Sequence, residues 1–277
     1  MTPGANAVAR SGTARPRIEA SVANYLSQLW GVAEAEIEKL IHDPLELVTR
    51  AIQPLLWLLL FGQVMARVRG INTGALNYED FLAPGILAQS VLFAAIFYGI
   101  AAIWERDLGV LQRLLVSPAP RSALVIGKAT SSAIRGWAQA FIVYLVVLIM
   151  GADVSLAPWH VLGAALFIGL GSGFFSTFSL IIACLVRTRE RFMGIGQVLT
   201  MPIFFASNAI YPIDLMPRWL QWVSHFNPLT YQVDAMRALI LRQGVATIGL
   251  GIDFAVLAAG CIVLTAIAAR LYPRMGN

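Results

Sequence analysis

The chain has 277 residues, of which 58% are hydrophobic and only 13% are charged, and its mean hydropathy is +0.72. A soluble domain of this length cannot bury so much apolar side chain in one core, so the composition excludes an ordinary water-soluble protein and predicts an integral membrane protein. The formal net charge of +5 does not indicate a nucleic-acid-binding protein, because the basic residues flank apolar stretches instead of forming one soluble patch.

The first part of the chain predicts two cytosolic segments. Residues 1–17 are rich in Ala, Gly, Pro and Arg without an apolar centre, which predicts a disordered tail and not a cleaved signal peptide. Residues 18–43 carry apolar side chains at helical spacing, which favours an amphipathic helix along the membrane surface, ended by Asp43-Pro44. A helix packed on a soluble domain is the alternative. The residues expected at the interface are Leu26, Leu29, Trp30 and Ile37.

Residues 44–277 predict one all-α membrane domain with six transmembrane helices. Six runs have few charges and are long enough to cross about 30 Å of hydrocarbon as helices. A helix forms all its backbone hydrogen bonds internally, which a segment in lipid needs because water is absent. The six runs are residues 49–66, 81–104, 129–150, 160–186, 192–211 and 247–269. Pro54 predicts a kink in the first span. Gly169 and Gly173, four residues apart, predict close helix packing in the fourth, with Ser172, Ser176 and Thr177 able to bond across.

The distribution of basic residues predicts the orientation of these spans. Fourteen of the twenty Lys and Arg residues fall in the tail, the interfacial segment and alternate flanks that share one side, and five fall on the other side. Positively charged flanks stay in the cytosol. Both termini are therefore predicted to be cytosolic.

About thirty residues between the fifth and sixth spans predict two short amphipathic helices at the outer surface, partly re-entrant, separated by Asn227-Pro228. Their Trp and Tyr content favours the depth of the lipid head groups. An aromatic belt that only anchors the sixth span is the alternative.

The common enzyme motifs are incomplete in this sequence. "VIGKAT" resembles the end of a phosphate-binding loop, but Ser122 stands where that loop needs Gly, and Ala129 stands where it needs Ser or Thr. His42, His160 and His225 are scattered and form no zinc motif. We therefore expect no catalytic residue, metal or cofactor on this chain.

A self-powered carrier usually needs ionisable groups near the middle of the bilayer. Arg135 and Asp253 are the candidates, and they form no relay. The energy for any transport is therefore expected to come from another polypeptide.

The segment between the second and third spans combines charges with leucines at helical spacing before the "SPAP" of residues 117–120. This pattern predicts a short cytosolic helix whose apolar stripe fills a groove on a partner, with an ordinary polar hairpin as the alternative. The residues expected to contact or position the partner are Glu105, Arg106, Asp107, Leu108, Leu111, Arg113, Leu114 and Pro118.

"WERDLGVLQRLLVSPAPRSALVIGK" and "NPLTYQVDAMRALI" together resemble the permease subunits of type-2 ATP-binding-cassette exporters, particularly the daunorubicin-resistance and nodulation-factor export branch. The resemblance covers most of the chain from the interfacial helix onward. It implies that residues 105–118 are a coupling helix docking on an ATPase subunit, and that residues 19–43 are the connecting helix beside it.

The resemblance also implies an outer gate and a substrate pathway. The gate residues would be Trp219, Trp222, Phe226, Asn227, Pro228, Tyr231, Asp234 and Arg237. The pathway residues would be Phe93, Phe97, Gln197, Phe204, Phe205 and Asn208.

The resemblance further implies an assembly with two ATPase subunits, which hold the ATP and Mg²⁺, and with a second permease chain, identical or related, among membrane lipids in a bacterial cytoplasmic membrane. The expected cargo is a hydrophobic or amphipathic drug, lipid or glycolipid. A polysaccharide exporter, a self-contained channel or secondary carrier, and a membrane anchor or assembly protein remain alternatives.

Overall fold

The computed structural model describes residues 44–67, 76–109, 121–186 and 188–272, with isolated positions between 31 and 42. The predicted tail and most of the interfacial helix, including Leu26, Leu29 and Trp30, lie outside the described residues. Ile37 belongs to a helix and is exposed. Within the described ranges the chain is helical, apart from its turns and one isolated β-bridge between Val154 and Leu241.

The first described helix changes its hydrogen-bonding pattern along its length. It comprises α1 (Pro44–Leu56), a π-helical turn (Trp57–Phe61) and α2 (Gly62–Ala66). Pro54 lies inside α1 and cannot donate a hydrogen bond to the preceding turn. The sequence predicts a kink at Pro54, and the structure has this wider π-helical turn beginning three residues later, at Trp57.

The remaining helices follow with short connections. They are α3 (Tyr78–Asp107), α4 (Arg121–Ile149), α5 (Pro158–Leu185), α6 (Arg189–Phe205), a 3₁₀ turn (Ile213–Leu215), α7 (Arg218–Phe226), α8 (Pro228–Ile240) and α9 (Leu250–Leu271). Five helical segments in the described ranges are long and apolar enough to cross a membrane: Leu47–Ala66, α3, Leu124–Ile149 within α4, α5 and α9. The prediction of a multi-pass, all-helical membrane protein is confirmed at this level.

Helix α6 covers the predicted fifth span only in part. It has 17 residues, about 26 Å at the rise of an α-helix, and is not among the five segments. The predicted boundary at residue 211 is wrong, because the chain leaves the helix at Ala206 and continues through turns to Tyr211. Pro202 lies in the last turn of α6, where the helix is about to end.

Helices α3 and α5 form the centre of the bundle. Helix α3 packs against α4, α5, α6 and α8, and its residues from Phe81 to Leu92 are all buried. Helix α5 also contacts α8 and α9. The outer faces of α1 and α9 expose large apolar side chains, as helices do when lipid covers them. The protein therefore builds its core around α3.

Small residues set the closest approaches between these helices. A Cβ at Gly85 of α3 would lie 2.8 Å from the Cα of Ala209. Gly136 of α4 and Gly171 of α5 would place a Cβ against the side chains of Ser172 and Gln232. The tightest of these approaches do not occur at the predicted pair, Gly169 and Gly173. A Cβ at position 173 would meet only Cys261, at ordinary contact distance.

The predicted hydrogen bond from Ser172 across the helices is wrong in the described part of the chain, where its hydroxyl has no partner. Ser179 makes such a bond instead, from α5 to the carbonyl of Ile96 on α3.

We expect Gly85→Ala to destabilise the protein by about 1–3 kcal/mol, because the methyl group would overlap backbone atoms that cannot rotate away. The measurement is the unfolding midpoint of the detergent-purified chain. Gly251→Ala is the matched control, since a Cβ at Gly251 meets nothing within 4 Å. Equal midpoints for the two variants would contradict the packing described.

Candidate functional site

Ionic contacts and hydrogen bonds join four helices at the end of α3 that is predicted to be cytosolic. Lys128 Nζ of α4 lies 2.5 Å from Glu105 Oε2 of α3. Arg189, the first residue of α6, donates to Asp107 Oδ2 from Nη2 at 2.7 Å and from Nε at 3.0 Å. Charge-assisted hydrogen bonds of this kind are stronger than neutral ones.

Two further contacts involve the arginines beside Asp107. The Arg189 guanidinium lies 3.6 Å from the centre of the Trp104 ring, a cation–π arrangement. Arg106 donates to Asp107 Oδ1 at 3.0 Å and to the Val186 carbonyl, just after α5, at 3.4 Å. We name Glu105, Arg106, Asp107, Lys128 and Arg189 the α3 end cluster. It ties the ends of α3, α4, α5 and α6 together.

The predicted coupling helix does not begin as a separate element. Glu105, Arg106 and Asp107 form the last turn of α3, and Leu108 is its C-terminal cap with a relative exposure of 70%. Gly109 then adopts φ of 72°, a left-handed conformation that ends an α-helix. An uninterrupted helix over residues 105–118 is therefore wrong. Leu111, Arg113, Leu114 and Pro118 lie outside the described residues.

At the opposite end of the bundle, Asp234 of α8 orders the chain that leads into α9. Its Oδ1 accepts hydrogen bonds from the Thr247 backbone N–H at 3.1 Å and the Thr247 hydroxyl at 2.5 Å. Its Oδ2 accepts from the Ile248 N–H at 2.8 Å. The carboxylate is fully buried, so these bonds fix the start of α9 relative to α8.

Arg237, one turn further along α8, bonds to the segment that follows α6. Its Nη2 donates to the Asn208 carbonyl at 2.8 Å, and its guanidinium lies 3.9 Å from the centre of the Phe81 ring. Burial lowers the pKa of Arg237 to about 10, while Asp234 opposes the shift, so the side chain stays positively charged at neutral pH. Helix α8 is thereby attached to α3 and to residue 208.

Asn227 and Tyr231 organise the junction between α7 and α8. Asn227 Oδ1 accepts from the Leu229 N–H at 3.0 Å and caps α8, whose first residue is Pro228. Asn227 Nδ2 donates to the Ile203 carbonyl of α6 at 2.6 Å. Tyr231 donates its hydroxyl proton to the His225 carbonyl at 2.6 Å. The turn is thus hydrogen-bonded on both sides.

The two helices predicted to be amphipathic at the outer surface differ in burial. Helix α7 exposes its aromatic face, with relative exposures of 68% for Trp219, 71% for Trp222 and 83% for Phe226. Helix α8 is mostly buried against α3, α5 and α9. The description of α8 as a surface amphipathic helix is wrong, because most of its residues, including polar ones, are buried against other helices instead of facing water.

The six predicted pathway residues do not share one cavity. Phe93 and Phe97 of α3 stack with ring centres 6.3 Å apart and line an open cavity of about 520 Å³ between α1, α3 and α4. Gln197 and Phe205 are exposed on α6, away from the cavity lining. Phe204 is buried, with its ring 6.1 Å from that of Trp57.

The other polar candidates lie at the end of the bundle where α9 begins and in the cavity. Asn208 is buried next to Arg237, and Asp253 is buried in the first turn of α9. Arg135 lines the cavity, as does Arg50, one of the basic residues that flank the first predicted span. The spacing of Thr49, Arg50 and Gln53 on adjacent turns of α1 could have indicated a shared polar face.

The family model for the ABC-2 type transporter matches residues 27–241. The chain belongs to this family. The match spans the α3 end cluster, the cavity and both helices at the opposite end, and it confirms the resemblance drawn from residues 104–128 and 227–240.

Individual relatives extend over most of the chain. Over 223 residues the protein is 31% identical to ycf38, a candidate transport permease of Cyanophora paradoxa, covering 78% of this chain and 74% of the relative. It is 24% identical to the daunorubicin resistance ABC transporter permease protein DrrB1 of Streptomyces coeruleorubidus, covering 82% and 78%. It is 26% identical to Nodulation protein J of Rhizobium leguminosarum bv. viciae, covering 69% and 71%.

Family membership assigns the general role of the chain. It is a transmembrane subunit of an ABC exporter, and the permeases of this family lack an ATPase site of their own and work with ATPase subunits. The prediction that the chain is not itself an enzyme agrees with this role.

We expect Asp234→Ala to lower the free energy of unfolding by about 1–3 kcal/mol, because it removes the three hydrogen bonds that the buried carboxylate accepts from residues 247 and 248. Chemical unfolding of the purified chain in detergent measures the change. Asp214→Ala, at an exposed acidic residue, is the control and should change stability little. A loss of similar size in both variants would contradict the role assigned to Asp234.

Proposed function

We propose that this chain is the transmembrane half of an ATP-driven exporter for hydrophobic or amphipathic compounds, assembled from two permease chains and two ATPase subunits. The ATPase subunits hold the ATP and Mg²⁺, and this chain holds no cofactor. The family match supports a role in export, and the relative named for daunorubicin resistance supports a drug-like cargo. The structural observation on which the proposal depends is the α3 end cluster.

The α3 end cluster gives a physical route for coupling. Residues 110–120 connect α3 to α4, and the cluster fixes both ends of that connection through Glu105 and Lys128. When a partner displaces the connection, the ionic contacts pass the displacement to α5 and α6 through Val186 and Arg189. ATP binding shifts the permease only if the ATPase contacts this connection differently in its two states.

The orientation and number of spans complete the proposal. The excess of Lys and Arg residues on the side of the membrane that holds the α3 end cluster supports a cytosolic location for that end and for both termini. Helix α6 together with residues 206–211 serves as the fifth of the six spans, and α7 and α8 form a re-entrant outer gate. The membrane is the bacterial cytoplasmic membrane.

The test of this function is co-purification of the ATPase with a triple variant, Arg106→Ala/Leu111→Ala/Arg113→Ala. We expect ATPase recovery to fall at least about tenfold, because the variant removes two cations and one apolar contact from the proposed docking segment. ATP-dependent transport should fall with it.

The matched control is Arg218→Ala/Leu215→Ala/Arg242→Ala, which removes the same residue types from exposed positions at the opposite end. It should retain the ATPase. Unchanged recovery and unchanged transport in the first variant, or transport by the purified chain without any ATPase, would refute the proposed function.

A second variant separates docking of the ATPase from transmission of displacement through the α3 end cluster. We expect Asp107→Ala to keep the ATPase bound while reducing ATP-driven transport several-fold, because it breaks the contact with Arg189 without altering residues 110–120. Transport assays in proteoliposomes with the assembled complex measure the loss. Asp153→Ala, which removes an exposed ion pair with Arg242 at the other end, is the control. Full ATP-driven transport by the Asp107→Ala variant would show that the α3 end cluster does not transmit displacement of the connection to the other helices.

A further inference from the structure

The open cavity between α1, α3 and α4 reaches from the middle of α3 to its end. Its lining on α3 begins at Ser90 and ends at Trp104, a length of about 21 Å along the helix. Its volume is about 520 Å³, within the range of small-molecule sites in proteins. The cavity is therefore long enough and large enough for an amphiphile.

The charged residues that line this cavity in the described part of the chain are both arginines. Arg50 of α1 and Arg135 of α4 contribute guanidinium groups, and among the described lining residues there is no aspartate or glutamate. The Arg135 guanidinium lies 5.7 Å from the centre of the Tyr98 ring. Guanidinium groups recognise phosphate and carboxylate through paired hydrogen bonds, so the cavity favours an anionic group.

The depth of Arg135 strengthens this argument. Arg135 follows Lys128 by seven residues on α4, about 10 Å further into the bundle. Lys128 already forms part of the α3 end cluster. A charged side chain within a membrane-spanning helix is costly and generally has a function in binding or transport.

The remaining lining residues supply an apolar surface with a few polar groups. Phe93 and Phe97 present stacked rings, flanked by Ala94, Ile100 and Ala101. Thr49, Gln53 and Ser90 add hydroxyl and amide groups. A mostly apolar wall with a few polar groups that fix orientation is typical of ligand sites.

We propose that this cavity binds the exported cargo, and that the cargo is an amphiphile with an anionic phosphate or carboxylate head group. The head group contacts Arg50 and Arg135, and the apolar part lies against Phe93 and Phe97. This inference rests on the proposed function only for the identification of the ligand as cargo. A cationic amphiphile is disfavoured, because both guanidinium groups repel it.

The experiment uses the complex of this chain with its ATPase in phosphatidylcholine nanodiscs. The probes are a photoreactive phosphatidic acid and a photoreactive phosphatidylcholine with the same chains. We expect the anionic probe to label peptides of α1, α3 and α4 about tenfold more than the zwitterionic probe. Arg50→Gln/Arg135→Gln should remove this preference.

Two further variants control for folding and for surface charge. Arg135→Lys keeps the positive charge and should keep part of the preference, and the thermal midpoint of each variant reports its folding. Arg218→Gln removes an exposed arginine outside the cavity and should leave the labelling unchanged. Equal labelling by both probes, or a full preference in the folded double variant, would overturn the proposal.

Addition of ATP distinguishes a cargo from a resident membrane lipid. We expect ATP to lower labelling by the anionic probe and to move that probe across the bilayer in proteoliposomes. Charge-selective labelling that ATP does not change would identify a resident lipid and overturn the cargo assignment. Failure of the ATPase co-purification test would refute the proposed function while leaving charge-selective labelling in place, so the two failures are distinguishable.

Discussion

The burial of α3 is the constraint around which the rest of the structure is arranged. A helix that crosses a bilayer satisfies its backbone internally, and α3 is also enclosed by other helices over most of its length. Small residues such as Gly85 make this enclosure possible, because neighbouring backbone lies within contact distance. Strong directional contacts are therefore concentrated near the ends of α3, where charged groups gather.

Those contacts attach α3 to different parts of the chain at each end. At one end Asp107 binds Arg189 of α6. At the other, the Tyr78 hydroxyl donates to the Ile210 carbonyl and Phe81 lies under Arg237 of α8. On the proposed function, a displacement at the α3 end cluster reaches residues 206–211 and α8 through one continuous helix. Rigid elements with tied ends are a physical route for coupling between distant sites.

Composition and hydropathy were enough to predict a multi-pass helical protein, and residues 104–128 and 227–240 were enough to predict its family. The burial of α8 was not predictable, because Asp234 and Arg237 look like the polar face of a surface helix. Their partners, at residue 208 and at residues 247 and 248, lie outside the helix. The end of α6 at Phe205 was missed for a related reason, since residues 206–211 carry no charge but form turns packed against α3.

A count of arginines along the sequence does not show which of them lie together in the fold. Arg50 contributes to the positive flank that predicts orientation, yet in three dimensions it joins Arg135 at one cavity. The same helix that supplies the cavity's aromatic wall, α3, ends in the ionic contacts that bind α4 and α6. A ligand that favours one position of α3 must therefore also favour one arrangement of those contacts. By thermodynamic reciprocity, an ATPase that rearranges the contacts must change the affinity of the cavity for that ligand. On these two proposals, cargo binding and ATP use are coupled through a single helix, with no direct contact between cargo and ATPase.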